Sequence, residues 1–300
     1  MRSYKWEQQV LGTKIYIEIV GNDLLEAEYY LTAASKELSR IERLYSRFLP
    51  ESDLSKLNNN LNKFVPISEE FLYLIDFAEK ARTDTDGIFN ISIGAHLDNL
   101  GYDANYSFIE KKVQTKSGKI KFSKNGDKVK INSKIDLGGV GKGYALDRIA
   151  KILNIFSNVC IDLGGDIAVR GLAANEEPWV VGYEHSAITN RVIGDVHATE
   201  DWLFLASSSG NKRNWSKKEG EVLHHLIDPK TGKSADEMMA VFVQAKSGII
   251  ADVYATAFFV AGIEKSKNIL IKNPEIQAFL ISNSGKTLKT KAFKGNLYLD

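Results

Sequence analysis

The chain begins with a strand pattern that leads directly into a long amphipathic helix, and this pair restricts the folds open to the sequence. Ile15, Ile17 and Ile19 alternate with other side chains in a β-branched stretch, which is typical of a strand with one more deeply buried face. Asp23 is a suitable N-cap. Behind it, apolar side chains recur at spacings of three and four: Leu24, Ala27, Leu31, Ala34, Leu38, Ile41 and Tyr45. This spacing predicts a helix of about six turns laid across a sheet, which we favour over a coiled coil in a mixed chain.

Helix and strand patterns alternate along the rest of the chain. Apolar stripes predict further helices over 68–82, about 143–156, about 250–262 and 265–272. Strand patterns lie between them, over 120–122, 129–131, 159–163, 179–183, 202–206, 241–245 and 277–282, and Asn125-Gly126 is a hairpin turn signal between the first two. We therefore expect an α+β fold of mixed sheets flanked by helices. No Pro- or Ser-rich linker divides residues 1–300, so a single compact domain is favoured. A two-lobed form of this domain, with the site between the lobes, is the alternative.

Charge and cysteine content exclude several classes of protein. The chain has 39 Lys and Arg against 38 Asp and Glu, a formal net charge of +1, so no broad positive field would attract nucleic acid or an anionic membrane. Lysines crowd the segment 111–134, but alternating lysines are typical of the solvent face of an edge hairpin. Aromatic residues do not alternate with the lysines to stack on bases, since Phe122 is the single aromatic residue of the segment. Nucleic acid is not an expected partner. Cys160 is the only cysteine, which excludes an intrachain disulfide and favours a buried, inert thiol.

The N-terminal residues contain no apolar core of a signal peptide, and no run of 18 apolar residues occurs. As it reads, the sequence predicts a cytoplasmic protein. A periplasmic or membrane-anchored location stays open if the sequence is a trimmed form.

The glycine-rich segment 135–143, IDLGGVGKG, is the strongest candidate for an anion site. It runs from a predicted strand into a predicted helix, an arrangement that points free N–H groups and the positive end of a helix dipole at a phosphate. A P-loop would need Gly at Asp136 and Ser or Thr at Gly143, and a dinucleotide fingerprint would need Gly at Tyr144, so neither motif is complete. Segment 161–165 repeats the first five letters, and a tight turn and a binding role are equally favoured for it.

Two further candidates are weaker when taken alone. Asp252 and Thr256 are four residues apart on a predicted helix, so carboxylate and hydroxyl lie on one face and could reach one hard cation, although a structural role for both is more common. His224 and His225 precede the turn sequence Asp-Pro-Lys-Thr-Gly, and a histidine there could transfer a proton near pH 7, although a lone histidine more often satisfies a core hydrogen bond.

Seven motifs occur in order along the chain: Leu11-Gly12-Thr13, the segment 45–58, Gly87-Ile88-Phe89-Asn90, the segment 136–147, Ser208-Ser209-Gly210, His225-Leu226-Ile227-Asp228-Pro229, and Ala251-Asp252 with Thr256. In this order they resemble the motif set of the ApbE family, whose members are FAD:protein FMN transferases. The resemblance spans nearly the whole chain, and seven ordered motifs are far more specific than any one of them.

The resemblance implies a Mg²⁺-dependent enzyme that splits the pyrophosphate of FAD, releases AMP and leaves FMN in phosphoester linkage to a threonine of an acceptor protein. The implied acceptor is a Thr-containing segment of a membrane redox complex subunit or a related flavoprotein. The implied metal ligands are Asp252, Thr256 and the main-chain carbonyl of Gly139. The implied contacts to the flavin nucleotide are Leu11, Phe48, Ile88, Phe89, Asn90, Asp136, Lys142, His225 and Ile227, with Phe48 placed to stack on a ring.

Chemical roles follow from these implied positions. Lys142, a helix beginning at Gly143 and Mg²⁺ would neutralise the pyrophosphate. We expect His225 to act as the base that activates the acceptor hydroxyl, with Asp136 or Asp228 as the alternative. Asn90 replaces the usual aspartate of the family, so the implied contact at this position lacks the family's carboxylate.

Two rival functions stay open. Water could replace the acceptor hydroxyl, which would make the protein an FAD pyrophosphatase, or the protein could bind flavin without turnover.

Overall fold

A computed structural model describes residues 2–111, 123–185, 188, 191–210, 214–216 and 222–298. In these ranges the helices are α1 (Leu24–Tyr45), α2 (Asp53–Asn58), α3 (Glu69–Asp84), α4 (Gly94–Asn99), α5 (Gly138–Ile152) and α6 (Gly248–Lys272). The strands are β1 (Arg2–Val10), β2 (Thr13–Gly21), β3 (Val65–Pro66), β4 (Ser123–Asn125), β5 (Lys128–Lys130), β6 (Val159–Asp162), β7 (Asp166–Arg170), β8 (Val180–Glu184), β9 (Val192–His197), β10 (Leu203–Ser209), β11 (Asn214–Ser216), β12 (Val222–His224), β13 (Met238–Ala245), β14 (Gln277–Ser282), β15 (Thr287–Lys289) and β16 (Asn296–Leu297). The predicted α+β class is confirmed.

The centre of the fold is an eight-stranded sheet in the order β1-β2-β6-β7-β10-β13-β14-β15. Smaller sheets have the orders β16-β9-β8, β3-β5-β4 and β11-β12. Every strand pair within the described residues is antiparallel. Neighbouring strands therefore run in opposite directions in each of these sheets.

The large sheet is covered on both faces, because successive side chains of a strand point to opposite sides. In β10, Phe204 and Ala206 join the core that includes α1, α3, α5 and α6, whereas Leu205 joins the core formed with β8 and β9. The same alternation holds in β13 and β14. The order of layers is helices, large sheet, small sheet. One core cluster contains residues from Val10 to Leu280, although the single-domain assignment of 1–300 and its two-lobed variant stay predictions.

The predicted first helix is confirmed, with Asp23 accepting a hydrogen bond from the Glu26 N–H at 3.1 Å. Ser68 caps α3 in the same way, through the Phe71 N–H at 3.1 Å. Both caps are local, which is why the sequence alone could identify them. The Asn125-Gly126 signal also holds, since β4 and β5 pair around it. The strand predicted over 120–122 lies outside the described residues.

One helix boundary near the candidate anion site differs from the prediction, and one is confirmed. The third helix begins at Gly138, not near Gly143, so the glycine-rich segment forms the first turns of α5 and not a loop before it. Leu137 accepts the Gly141 N–H at 2.7 Å, which starts the helix despite its glycines. In α6, Gly262 has φ 70° and interrupts the helix, as its position at a predicted helix end suggested. The chain then continues as the predicted helix over 265–272. Within the described residues, none of the helices combines the length and the hydropathy needed to span a bilayer.

Candidate functional site

A cleft of about 920 Å³ collects residues from distant parts of the chain. Eleven of the thirteen residues predicted for the site line it: Phe48, Ile88, Phe89, Asn90, Asp136, Gly139, Lys142, His225, Ile227, Asp252 and Thr256. Aromatic and aliphatic side chains lie beside carboxylates, two lysines and serine hydroxyls of β10. This combination suits a ligand that has both a ring system and charged groups.

The contact between α5 and α6 determines the geometry of one end of the cleft. A Cβ at Gly143 would lie 2.4 Å from the carbonyl oxygen of Gly248 and 2.7 Å from the Cβ of Asp252. A Cβ at Gly248 would in turn lie 2.8 Å from the carbonyl oxygen of Gly143. Real Cβ atoms cannot approach so closely, so glycine at both positions allows the two backbones to touch. Asp252 is thereby brought against the first turns of α5.

Asp252, Thr256 and the carbonyl of Gly139 form the candidate metal centre. A Cβ at Gly139 would lie 3.1 Å from Thr256 Oγ1, so these two residues are in contact distance. Asp252 Oδ2 accepts the Gly143 N–H at 2.9 Å. A carboxylate, a hydroxyl and a carbonyl are suitable ligands for a hard divalent cation. No cluster of three His, Cys, Asp or Glu suited to a metal occurs in the described part of the chain.

The charges around Lys142 support the same fit. Lys142 forms an ion pair with Asp166 Oδ2, and Asp166 is 1% exposed. Burial raises the pKa of Asp166, and the negative charge of Asp252 raises it further, while Lys142 opposes both effects. In the described structure, Asp166 Oδ1 is buried without a hydrogen-bond partner. The carboxylates of Asp166 and Asp252 therefore interact with each other, and Asp166 is paired with one ammonium group. An additional cation would compensate the excess negative charge.

Asp136 is engaged on both oxygens. Its Oδ2 lies 2.9 Å from Nε of Arg47, and its Oδ1 accepts the Gly138 N–H at 2.8 Å. The Arg47 side chain is 7% exposed and reaches Asp98 Oδ1 at 3.0 Å through Nη1. These partners hold the Asp136 carboxylate in place, so it is better suited to fixing the start of α5 than to acting as a base.

A cluster of aromatic side chains forms another wall of the cleft. The ring of Phe48 is stacked with Tyr106 at a centroid distance of 4.6 Å, and the Arg47 guanidinium carbon lies 4.7 Å from its centroid. Tyr102, which also lines the cleft, stacks on Trp215 at 5.4 Å. A bound ring would therefore contact Phe48 only where Tyr106 and Arg47 leave it accessible.

The turn after α3 carries Ile88, Phe89 and Asn90. Thr85 accepts the Phe89 N–H at 3.0 Å through its hydroxyl oxygen and thereby holds the turn against the end of α3. Asn90 Oδ1 accepts hydrogen bonds from the Ser92 N–H at 2.9 Å and from its hydroxyl at 2.7 Å. An aspartate oxygen could accept the same two bonds, so asparagine preserves the turn and changes only the charge.

The two adjacent histidines differ in their surroundings. His224 is buried, and its Nε2 lies 2.7 Å from the carbonyl oxygen of Ala235. Burial lowers the pKa of His224, which is typical of a core histidine. His225 lines the cleft. Asp228 does not: its Oδ1 accepts the Lys230 N–H at 2.8 Å and stabilises the turn that follows, so the structure gives no support to its use as a base.

A family model described as the ApbE family matches residues 11–280. The chain belongs to the ApbE family. Two curated relatives named FAD:protein FMN transferase are those of Salmonella typhimurium, 25% identical over 95% of this chain and 85% of the relative, and Treponema pallidum, 26% identical over 94% and 85%. The predictions of the family and of an enzyme of this transferase class are confirmed.

Solved ApbE structures share the fold over nearly the whole chain. The ApbE protein of Thermotoga maritima has a TM-score of 0.85 and 26% identity, and the alignment covers 97% of this chain and 98% of that one. The flavin transferase ApbE of Vibrio cholerae has a TM-score of 0.82 at 20% identity over 97% and 98%, a likeness of fold.

The remaining differences from the sequence-based site concern Leu11 and residues that had no assigned role. Leu11 has φ 56° in the β1–β2 turn and donates its N–H to Glu42 at 2.7 Å, so its neighbours Gly12 and Thr13, and not Leu11, line the ApbE cleft.

Asp166 follows the second glycine pair, and the repeated IDLGG letters could have drawn attention to it. That segment is both a tight turn between β6 and β7 and a part of the cleft wall. Glu184 and Arg191 also line the cleft, and no motif pointed to them.

Proposed function

We propose that this ApbE enzyme transfers the FMN moiety of FAD to a threonine hydroxyl of an acceptor protein and releases AMP, with Mg²⁺ as its cofactor. The observation that supports this most is the presence of Lys142 and the donor set of Asp252, Thr256 and the Gly139 carbonyl in one cleft that also has an aromatic wall. A dinucleotide with a pyrophosphate between two ring systems matches that distribution of charge and apolar surface.

In this proposal the pyrophosphate lies beside Lys142 and the N-terminal turn of α5, whose N–H groups and dipole favour an anion. A flavin ring contacts the wall that contains Phe48, Tyr102 and Ile227. When bound, Mg²⁺ would neutralise the pyrophosphate and the charge that develops on the AMP leaving group. Asp252 and Thr256 would hold it by their side chains, and Gly139 by its carbonyl.

His225 is the proposed base. It accepts the proton of the threonine hydroxyl while that oxygen forms a bond to the FMN phosphorus, and the bond from phosphorus to the AMP oxygen breaks. The product pair is a phosphoester-linked FMN and free AMP. The proposed acceptor is a Thr-containing segment of a flavoprotein, with a membrane redox complex subunit as the class that the family resemblance suggests.

The test is incubation with FAD, Mg²⁺ and purified candidate acceptors, followed by mass spectrometry of the acceptor and chromatography of the nucleotides. Transfer predicts FMN bound to a threonine and an equal amount of AMP, both lost in Asp252→Ala. AMP with an unmodified acceptor would instead identify an FAD pyrophosphatase, and intact FAD after prolonged incubation would identify a flavin-binding protein without turnover.

A further inference from the structure

We propose that Asp147 is a positioning residue that fixes α6, and with it Asp252 and Thr256, against the first turns of α5. Asp147 does not line the cleft, so it would act through α6 and not on a substrate. The inference rests on the proposed function only in assigning a cation to Asp252 and Thr256.

The N terminus of α6 has no cap from its own sequence. Ser247 occupies the N-cap position, but its side chain makes no capping hydrogen bond. The N–H groups of the first turn need acceptors, since they have no partner inside the helix. Asp147 of α5 supplies them: Oδ1 accepts the Gly248 N–H at 2.6 Å and Oδ2 accepts the Ile249 N–H at 3.1 Å.

The bonds across the two helices are reciprocal. Each helix carries a glycine and, four residues later on the same face, an aspartate: Gly143 and Asp147 in α5, Gly248 and Asp252 in α6. Asp147 accepts the N–H of Gly248, and Asp252 accepts the N–H of Gly143. These bonds flank the point where the two glycine backbones touch. The pair of aspartates therefore fixes the position of one helix along the other.

The Asp147 carboxylate that makes these two bonds is partly buried. Burial raises the pKa of Asp147 to about 6, although the N–H groups of Ile249 and Gly248 oppose the shift. A carboxylate with two backbone donors fits this position because it can accept both bonds at once, whereas an amide has one acceptor oxygen. Without these bonds the first turn of α6 would lose its acceptors, and Asp252 lies one turn further on.

The test measures Mn²⁺ binding by electron paramagnetic resonance and amide hydrogen exchange of residues 248–256, with Asp147→Ala, Asp147→Asn and a matched control. The control is Ser68→Ala, because Ser68 caps α3, and no residue of α3 lines the cleft. Loss of partners that orient metal ligands weakens metal binding by about 10- to 100-fold. We expect a loss of this size in Asp147→Ala, a smaller loss in Asp147→Asn that retains one acceptor, and an unchanged Kd in Ser68→Ala.

Hydrogen exchange separates this inference from the function on which it rests. In Asp147→Ala, residues 248–256 should exchange faster while those of α1 do not change. If the wild-type protein binds no Mn²⁺, the metal assignment fails, and exchange still decides the role of Asp147. Unchanged exchange over 248–256, unchanged Mn²⁺ affinity in a folded Asp147→Ala protein, or an equal loss of affinity in Ser68→Ala would overturn the inference.

Discussion

Two glycines of α5 should respond in opposite ways to the same substitution. Alanine increases helix propensity by up to about 1 kcal/mol relative to glycine. At Gly141 an added Cβ meets no atom within 4 Å, so Gly141→Ala should stabilise the protein by up to that amount. At Gly143 the added Cβ would lie 2.4 Å from the carbonyl oxygen of Gly248. The neighbour is backbone and cannot rotate away, so α5 and α6 must separate.

The difference between the two variants isolates this steric effect, because the gain in propensity is common to both. Overpacking of a well-packed contact costs about 1–3 kcal/mol, so Gly143→Ala should be less stable than Gly141→Ala by about that amount. Urea unfolding of both variants, without FAD or added metal, measures the difference. Because the new Cβ would also lie 2.7 Å from the Cβ of Asp252, Gly143→Ala should weaken Mn²⁺ binding as well. Gly141→Ala should bind Mn²⁺ as the wild type does.

Equal free energies of unfolding for the two variants would refute the reasoning. That result would mean that α6 can move away from α5 at little cost, and that the close approach of the glycines is not required by the fold. Unchanged Mn²⁺ binding in Gly143→Ala would show that the candidate metal centre does not depend on the contact between α5 and α6.

Three further predictions concern single side chains. The folded pKa of Asp147, about 6, is above its ordinary value of 3.8, so stability that is present below about pH 4 should be lost as the pH rises through 6. Relative to Asp147→Asn, the wild-type free energy of unfolding should fall by about 2 kcal/mol between pH 4 and 8, and parallel urea-unfolding profiles would contradict this. Burial raises the pKa of Cys160 to about 12, so the native thiol should react with a disulfide reagent at pH 8 about a thousandfold more slowly than in urea; a fast native reaction would disprove it. His225→Ala should abolish transfer and keep the unfolding midpoint, whereas His224→Ala should lower the midpoint because it removes a buried hydrogen bond; the reverse pattern would exchange the two assignments.

The parts of the fold that the sequence predicts well depend on local patterns. The bounds of α1 follow from one apolar stripe and one cap, and β14 follows from a run of apolar residues. Strand β1 was missed because its residues are mostly polar and alternate in exposure along an edge strand. Its partner is fixed by the turn at Leu11 and Gly12, both with positive φ, which the sequence indicates only weakly.

The start of α5 was missed for a physical reason. Four glycines in six residues favour a loop on propensity alone. In the structure, Asp136 and Asp252 accept hydrogen bonds from the N–H groups of Gly138 and Gly143. At Gly143, the contact with α6 leaves no room for a side chain. Tertiary contacts therefore override the local preference, and no single-sequence pattern reports them.

The residues of the candidate site also fall into two groups, those that the sequence predicts and those that only the structure identifies. Lys142, His225 and Asp252 belong to motifs that identify the ApbE family, and the fold brings them into one cleft. Asp147 lies within a motif, yet its spacing could not reveal that it caps a helix about a hundred residues further along the chain. The same is true of Asp166, whose importance depends on its burial beside Lys142.

The charge arrangement of the cleft predicts that cation and nucleotide bind cooperatively. Lys142 is paired with Asp166, and the negative charge of Asp252 acts on the same carboxylate. The doubly negative pyrophosphate of FAD would therefore meet excess negative charge unless a divalent cation is present. The cation alone would in turn lack the phosphate oxygens that complete its shell. Mg²⁺ should therefore raise the affinity for FAD, and FAD should raise the affinity for Mg²⁺ by the same factor, within about 5- to 150-fold. Calorimetric titration of the protein with FAD, once with Mg²⁺ present and once with a chelator, measures this coupling. It should disappear in Asp252→Ala, and equal FAD affinities in the two wild-type titrations would show that Lys142 and the start of α5 hold the pyrophosphate without help.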